Sequence, residues 1–290
     1  MTETRIVSTS GGPVEVTLVP GSRPPVLFFP GGHCSATVDT GWDLYTDSGY
    51  GIVSFSRPGY GGTRVGGLTT AEFTPLVREV CRELGVSAVA AAVGVSFGGL
   101  QAVHVAQDPG LGVHSLVLHS CAPSVQPYPD TRAESVIGPV LFSPPLEGIV
   151  WALIHRLVRG DAGLRIMMAR LSWLPIQTWW DRLDPADKSR ARQLFRTMRS
   201  DSGFMTDLRQ GRSGEAQARR AALAAVRCPT LVTGSRHDRG VAFAHSVDLA
   251  SAIPGAVLVE LCSPSHIFWI GPDRDRLAST ISAFLDTAVN

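Results

Sequence analysis

Short apolar runs separated by glycine- and proline-rich turns fill the beginning and the end of the chain. Arg5 to Ser8 and Val14 to Val19 alternate around Gly11-Gly12-Pro13, which predicts an antiparallel hairpin. Pro25 to Phe29, Tyr50 to Phe55, Ala88 to Val95 and Val113 to His119 show no polar alternation. Such runs predict strands buried on both faces of a parallel sheet. Asp39 to Ser48 and Thr70 to Leu84 have helical spacing, the latter with Thr69 or Thr70 as its cap. A further helix follows Gly98-Gly99. After Cys228 the pattern resumes, with a strand from Cys228 to Gly234, a helix through Ala250, a strand from Ala256 to Leu261 and a closing helix from Asp273 to Ala288. Strands alternating with helices at this interval predict an α/β fold, a parallel sheet with both faces covered.

The alternation stops between Ala122 and about Val226. Here lie Pro123, Pro127, Pro129, Pro139, Pro144, Pro145, Pro175 and Pro185, amphipathic helical pieces, and four of the six tryptophans, Trp151, Trp173, Trp179 and Trp180. The expected organisation is a core of residues 1–121 and 227–290, interrupted by a helical cap at 122–226.

Composition narrows the class without choosing a function. With 44% hydrophobic and 18% charged residues in 290, the chain can bury a large core. A formal net charge of +1, with arginines scattered, offers no basis for binding nucleic acid or an anionic membrane. The amino-terminal stretch lacks an apolar signal core, and Gly148 to Val158, the longest apolar segment, is interrupted by His155 and Arg156. Cys34, Cys81, Cys121, Cys228 and Cys262 are dispersed, with no C-x-x-C pair, which suggests reduced thiols in a cytoplasmic protein and no metal site. No cofactor is expected; the expected partner is a small-molecule substrate, and oligomeric state is unreadable.

Between the strand ending at Val95 and the helix after Gly98 sits Gly94-Val95-Ser96-Phe97-Gly98, a G-x-S-x-G motif. A sharp strand-to-helix turn needs glycine where a Cβ would meet backbone, and it presents the central serine at the mouth of the sheet. Two other residues fall just beyond strand ends on the same edge, where open α/β sheets bind ligands: Asp238 and His266. A serine hydroxyl becomes nucleophilic when an imidazole takes its proton, and a carboxylate fixes the imidazole tautomer. Ser96, His266 and Asp238 are therefore the expected nucleophile, base and orienting acid. The amides of Gly32, in Pro30-Gly31-Gly32, and of Phe97 are the expected oxyanion donors.

With Gly94 to Gly99, Arg57-Pro58-Gly59-Tyr60-Gly61, Gly234 to Asp238 and Ser265-His266 in this order, the chain resembles the α/β-hydrolase superfamily over essentially its full length. It is similar to the capped branch of proline iminopeptidases and haloperoxidase-like esterases. The resemblance implies a mostly parallel eight-stranded sheet with helices on both faces and a serine-hydrolase triad in the order Ser, Asp, His. Three departures stand out. Pro30-Gly31 replaces the usual His-Gly, Ser56 replaces an Asp before Arg57, and Asp238 follows Gly234 one residue later than in many relatives.

Other residues have competing readings. His33, Trp151, Trp179 and Phe204 could line the pocket, although a loop histidine and cap-core aromatics are equally ordinary. Ser202-Gly203-Phe204 reads as a flexible aromatic stretch. His237, His104, His114, His119, His155 and His245 read as structural, and Asp130 is the fallback acid. A serine at the elbow points to acyl transfer from a small or medium hydrophobic ester, lactone or thioester. An aminopeptidase would need an acidic cap residue, for which Glu134, Glu147, Asp161 and Asp181 are available. A C–C bond hydrolase could use the same triad, and a ligand-binding protein of this fold would need no triad.

Overall fold

Successive residues of β3 (Arg23–Phe29) enter different cores: Val26 and Phe28 pack on one face of the sheet, Leu27 and Phe29 on the other. The computed structural model describes residues 2–129 and 138–289. Its sheet has eight strands, completed by β1 (Glu3–Thr9), β2 (Gly12–Val19), β4 (Tyr50–Phe55), β5 (Ala91–Val95), β6 (Leu116–His119), β7 (Thr230–Ser235) and β8 (Val257–Leu261). The spatial order is β1-β2-β4-β3-β5-β6-β7-β8. β2 pairs antiparallel with β1 and β4, and all other pairings are parallel. Burial on two faces explains the missing polar alternation: every residue of β4, β5, β6 and β7 is buried.

One face is covered by α2 (Thr70–Glu83), α3 (Gly99–Ala106), α8 (Ala216–Ala225) and α9 (Phe243–Ala252), through residues such as Phe73, Val77, Val103, Leu223 and Leu249. The other face is covered by α1 (Asp43–Thr46) and α10 (Arg274–Val289), through Leu44, Tyr45, Ile281 and Leu285. Between β6 and β7 the chain also forms α4 (Pro144–Leu157), α5 (Asp161–Ala169), α6 (Pro185–Thr197) and α7 (Gly203–Gln210), with no strand among the described residues.

Differences from the predicted boundaries have local causes. Helix α1 is only four residues long, because the Asp39 carboxylate accepts the amides of Gly41 (2.9 Å) and Trp42 (2.8 Å) and makes a turn where helix was expected. Val89 and Val113 make an isolated bridge, so regular pairing of β5 and β6 starts later than their apolar runs. Thr69, as expected, caps α2: its Oγ1 accepts the Glu72 amide at 3.3 Å, and Glu72 accepts the Thr69 amide at 2.9 Å. Among the described residues no helix is long and apolar enough to cross a membrane, and no cluster of His, Cys, Asp and Glu is placed to hold a metal ion.

Candidate active site

Ser96 stands at the C-terminal end of central strand β5, with φ at +52°. A non-glycine residue in this left-handed region costs about 1–3 kcal/mol and is found where surrounding structure enforces it. Gly98 shows the enforcement: a Cβ there would lie 2.0 Å from the Phe29 carbonyl oxygen, so only glycine lets the elbow pack against β3. The Ser96 side chain makes no hydrogen bond among the described residues and borders a cavity of about 560 Å³. His266 borders the same cavity.

The loops after β7 and β8 bring Asp238 and His266 together. His266 Nδ1 lies 2.7 Å from Asp238 Oδ2, while Asp238 Oδ1 accepts the amides of Gly240 (2.7 Å) and Val241 (2.9 Å). The Asp238 side chain is 1% exposed and that of His266 is 17% exposed, so the carboxylate is shielded and the imidazole faces the cavity. Ser96 and His266 are not directly hydrogen-bonded; contacts of this kind often tighten only when substrate is present.

Burial disfavours the imidazolium of His266, but the charge of Asp238 and its hydrogen bond outweigh burial and raise the pKa above the usual histidine value. Only neutral imidazole can accept the serine proton. In a pH–rate profile, kcat/KM is thus expected to rise along a limb centred above about 6.5. In Asp238→Asn that midpoint should fall along with the rate. A wild-type midpoint below the ordinary histidine value would contradict this arrangement.

A segment between α5 and α6 stitches the two loops together, which sequence reasoning missed. The Leu171 carbonyl accepts the His266 amide (2.9 Å) and the Arg239 amide (3.3 Å), Trp173 donates its amide to the His237 carbonyl (2.9 Å), and Ser172 bridges Asp238. These backbone bonds carry no side-chain signature. His237 is thereby used as a backbone acceptor and does not stand in the base position. Asp130 and Glu134 lie outside the described residues.

The loop after β3 places Gly31, Gly32 and His33 along the cavity, with Gly32 against the Phe97 ring. Among the described residues neither the Gly32 nor the Phe97 amide meets an acceptor. Phe97 occupies the first turn of a helix, whose amides lack intrahelical partners. Behind this loop, Arg57 Nε donates to the Pro30 carbonyl at 3.0 Å, and its two terminal nitrogens grip both oxygens of Asp207 on α7. Tyr60 donates its hydroxyl to Asp207 at 2.6 Å. Burial opposes the charge on Arg57, yet Asp207 holds the guanidinium protonated. Arg57 and Tyr60 belong to the quoted Arg57-Pro58-Gly59-Tyr60-Gly61 stretch, but nothing in sequence announced Asp207 as their partner.

The rest of the cavity is largely apolar, formed by Phe142, Leu194, Phe195, Met198, Phe204 and Leu208 from the segment between β6 and β7. His33 and Phe204 line it, Phe204 from the first turn of α7 and not from a flexible stretch. Burial, aided by the Arg57 charge, pushes His33 down to about 3, leaving a neutral ring 2.8 Å from Ser200 Oγ. The two tryptophan expectations are corrected. Trp151 stands behind the wall: it packs edge-on to His33 and donates its indole N–H to Ser200 at 2.8 Å. Trp179 is 7% exposed and packs against Trp180 in a hydrophobic core, away from the cavity. His119 is fully buried between Tyr45 and Thr233, each 2.7 Å away, and is structural. Of the acidic residues considered for an ammonium site, Asp161 pairs with Arg192, Asp181 pairs with Arg165, and Glu147 lies off the cavity lining.

The sequence profile of the alpha/beta hydrolase family matches residues 26–280. An uncharacterized hydrolase, YcgS of Bacillus subtilis (strain 168), is 30% identical over 97% of this chain and 98% of its own length. Among solved structures, an alpha/beta hydrolase fold protein from Nakamurella multipartita superposes with a TM-score of 0.76 at 22% identity, covering 99% of this chain and 100% of that one. A thermophilic esterase from Thermogutta terrifontis gives 0.66 at 18% identity, covering 99% and 100%. Profile, full-length relative and sheet order agree: the chain is a hydrolase and belongs to the alpha/beta hydrolase family.

Proposed function

We propose that this hydrolase is a serine hydrolase that cleaves a small to medium hydrophobic ester, lactone or thioester through an acyl-enzyme, with residues 122–226 acting as its cap. The observation that carries the reading is Ser96, held at positive φ on the wall of an apolar cavity that it shares with the Asp238-bound imidazole of His266. Ser96 Oγ attacks the substrate carbonyl and passes its proton to His266 Nε2. Asp238 keeps the Nδ1–H oriented and stabilises the imidazolium. The carbonyl oxygen becomes an oxyanion facing the amides of Gly32 and Phe97, donors worth roughly 3–4 kcal/mol each in comparable chemistry. Collapse expels the alcohol or thiol, which takes the proton from His266. Water, deprotonated by the same imidazole, then releases the acid and frees Ser96.

The cavity wall speaks against an aminopeptidase. Among the described lining residues there is no Asp or Glu to meet a substrate ammonium. An unpaired cation in an apolar pocket carries a desolvation penalty. A panel of 4-nitrophenyl esters and aminoacyl-4-nitroanilides tests the class. The esters are expected to be favoured by about 100-fold or more in kcat/KM. Preference for the nitroanilides would overturn the ester reading.

A further inference from the structure

Several arginines are neutralised by acidic residues on the surface or in the core. Arg57, Arg78, Arg165, Arg190, Arg192, Arg236, Arg274 and Arg276 all pair with carboxylates. The cavity contains two that are not. Arg170 and Arg239 line it, and among the described residues neither has an ion-pair partner. The carboxylate of Asp238 is 1% exposed and turned toward His266 and backbone amides, so it does not neutralise them. Two positive charges therefore border an otherwise apolar space with no negative group among the described lining residues.

Their position is set by the backbone stitching of the site. Ser172 and Asp238 bridge antiparallel, so Arg170 and Arg239 flank that bridge on facing segments. Leu171, between them, holds the Arg239 amide and the His266 amide on one carbonyl. The Arg239 guanidinium also rests over the Trp173 ring, 4.9 Å from its centroid, which restricts the planar fork before any ligand arrives. A guanidinium recognises a carboxylate through paired N–H···O bonds, stronger than bonds between neutral groups. Both side chains are exposed, so they stand at the mouth of the cavity and not in its dry interior.

From this juxtaposition we infer that the hydrolase selects esters or lactones carrying a free carboxylate, bound at the Arg170–Arg239 rim while the scissile carbonyl faces Ser96. The inference rests on the serine-hydrolase reading and adds a substrate class to it. A hydrophobic spacer between the two carbonyl carbons would lie along the Phe142, Leu194 and Phe204 wall. Substrates with a positive charge at the same end are repelled.

The test compares mono-4-nitrophenyl adipate with 4-nitrophenyl hexanoate, which has the same acyl length and no charge. The readout is the ratio of their kcat/KM values. In the Arg170→Met, Arg239→Met double variant this ratio is expected to fall by about tenfold or more, and in wild type it should shrink as salt is raised to about 0.5 M. Arg170→Met alone leaves the Arg239–Trp173 stack in place and should still lower the ratio about threefold. The double lysine variant keeps both charges but loses the paired fork and the stack on Trp173, so it should retain only part of the preference while still exceeding the methionine variant, which separates recognition from damage to the loops. A ratio unmoved by the methionine substitutions or by salt overturns the carboxylate inference. If hexanoate hydrolysis also survives Ser96→Ala, the underlying serine-hydrolase reading fails instead, so the two failures are distinguishable.

Discussion

Asp207→Asn is expected to lower the unfolding free energy by about 3–5 kcal/mol, the cost of leaving a buried charge without its partner. Arg57 and Asp207 are 3% and 4% exposed, and the guanidinium meets both carboxylate oxygens. The substitution is nearly isosteric, so cavity formation contributes little and the missing charge dominates. In a chain of 290 residues the loss corresponds to a fall in Tm of roughly 5–8 °C. Replacing both partners, as in Arg57→Met with Asp207→Leu, should cost less than the two single losses summed, since no uncompensated ion remains. The same substitution bears on activity. Arg57 also holds the Pro30 carbonyl, next to Gly31 and Gly32, so a misplaced guanidinium loosens the loop facing Ser96. Thermal or urea unfolding of Asp207→Asn and of the four proteins of the Arg57→Met, Asp207→Leu cycle checks the claim. An Asp207→Asn protein within about 1 kcal/mol of wild type would show that the pair is dispensable.

Much of the sheet was legible because burial on two faces leaves a simple mark. Residues 50–55 of β4 read as a mainly apolar run in which Ser54 is the one polar residue, and the strand occupies those positions. The elbow was legible for a steric reason: glycine at 98 is required by the Phe29 carbonyl, and such requirements surface as fixed spacing around a serine. His266 and Asp238 could be placed at the sheet edge from the strands before them. Their 2.7 Å contact depends on the folding of two loops and could not be read directly. What failed was whatever depends on which face of a helix looks inward. Trp151 and Trp179 are large and apolar whether they border a cavity or pack behind it, and composition does not separate those fates. Asp207, Arg170 and Arg239 were illegible for a related reason. Their roles come from partners, or the lack of partners, far away in sequence.

Ser96→Ala is expected to lower kcat/KM for any ester substrate by a factor on the order of 10⁶, the scale of losing the nucleophile from a triad that works as a unit. The fold should survive, because the elbow is imposed by packing around Gly98 and not by the hydroxyl, which makes no hydrogen bond among the described residues. Ser96→Gly should be inactive and at least as stable as wild type, since glycine relieves the +52° backbone by about 1 kcal/mol. The most direct measurement is acid-quenching wild-type protein during turnover of 4-nitrophenyl hexanoate and mapping the acyl group by peptide mass. The account predicts a hexanoyl adduct on the peptide carrying Ser96, accompanied by a burst of 4-nitrophenol and absent from Ser96→Ala. An adduct on another residue, or undiminished turnover by Ser96→Ala, would contradict it.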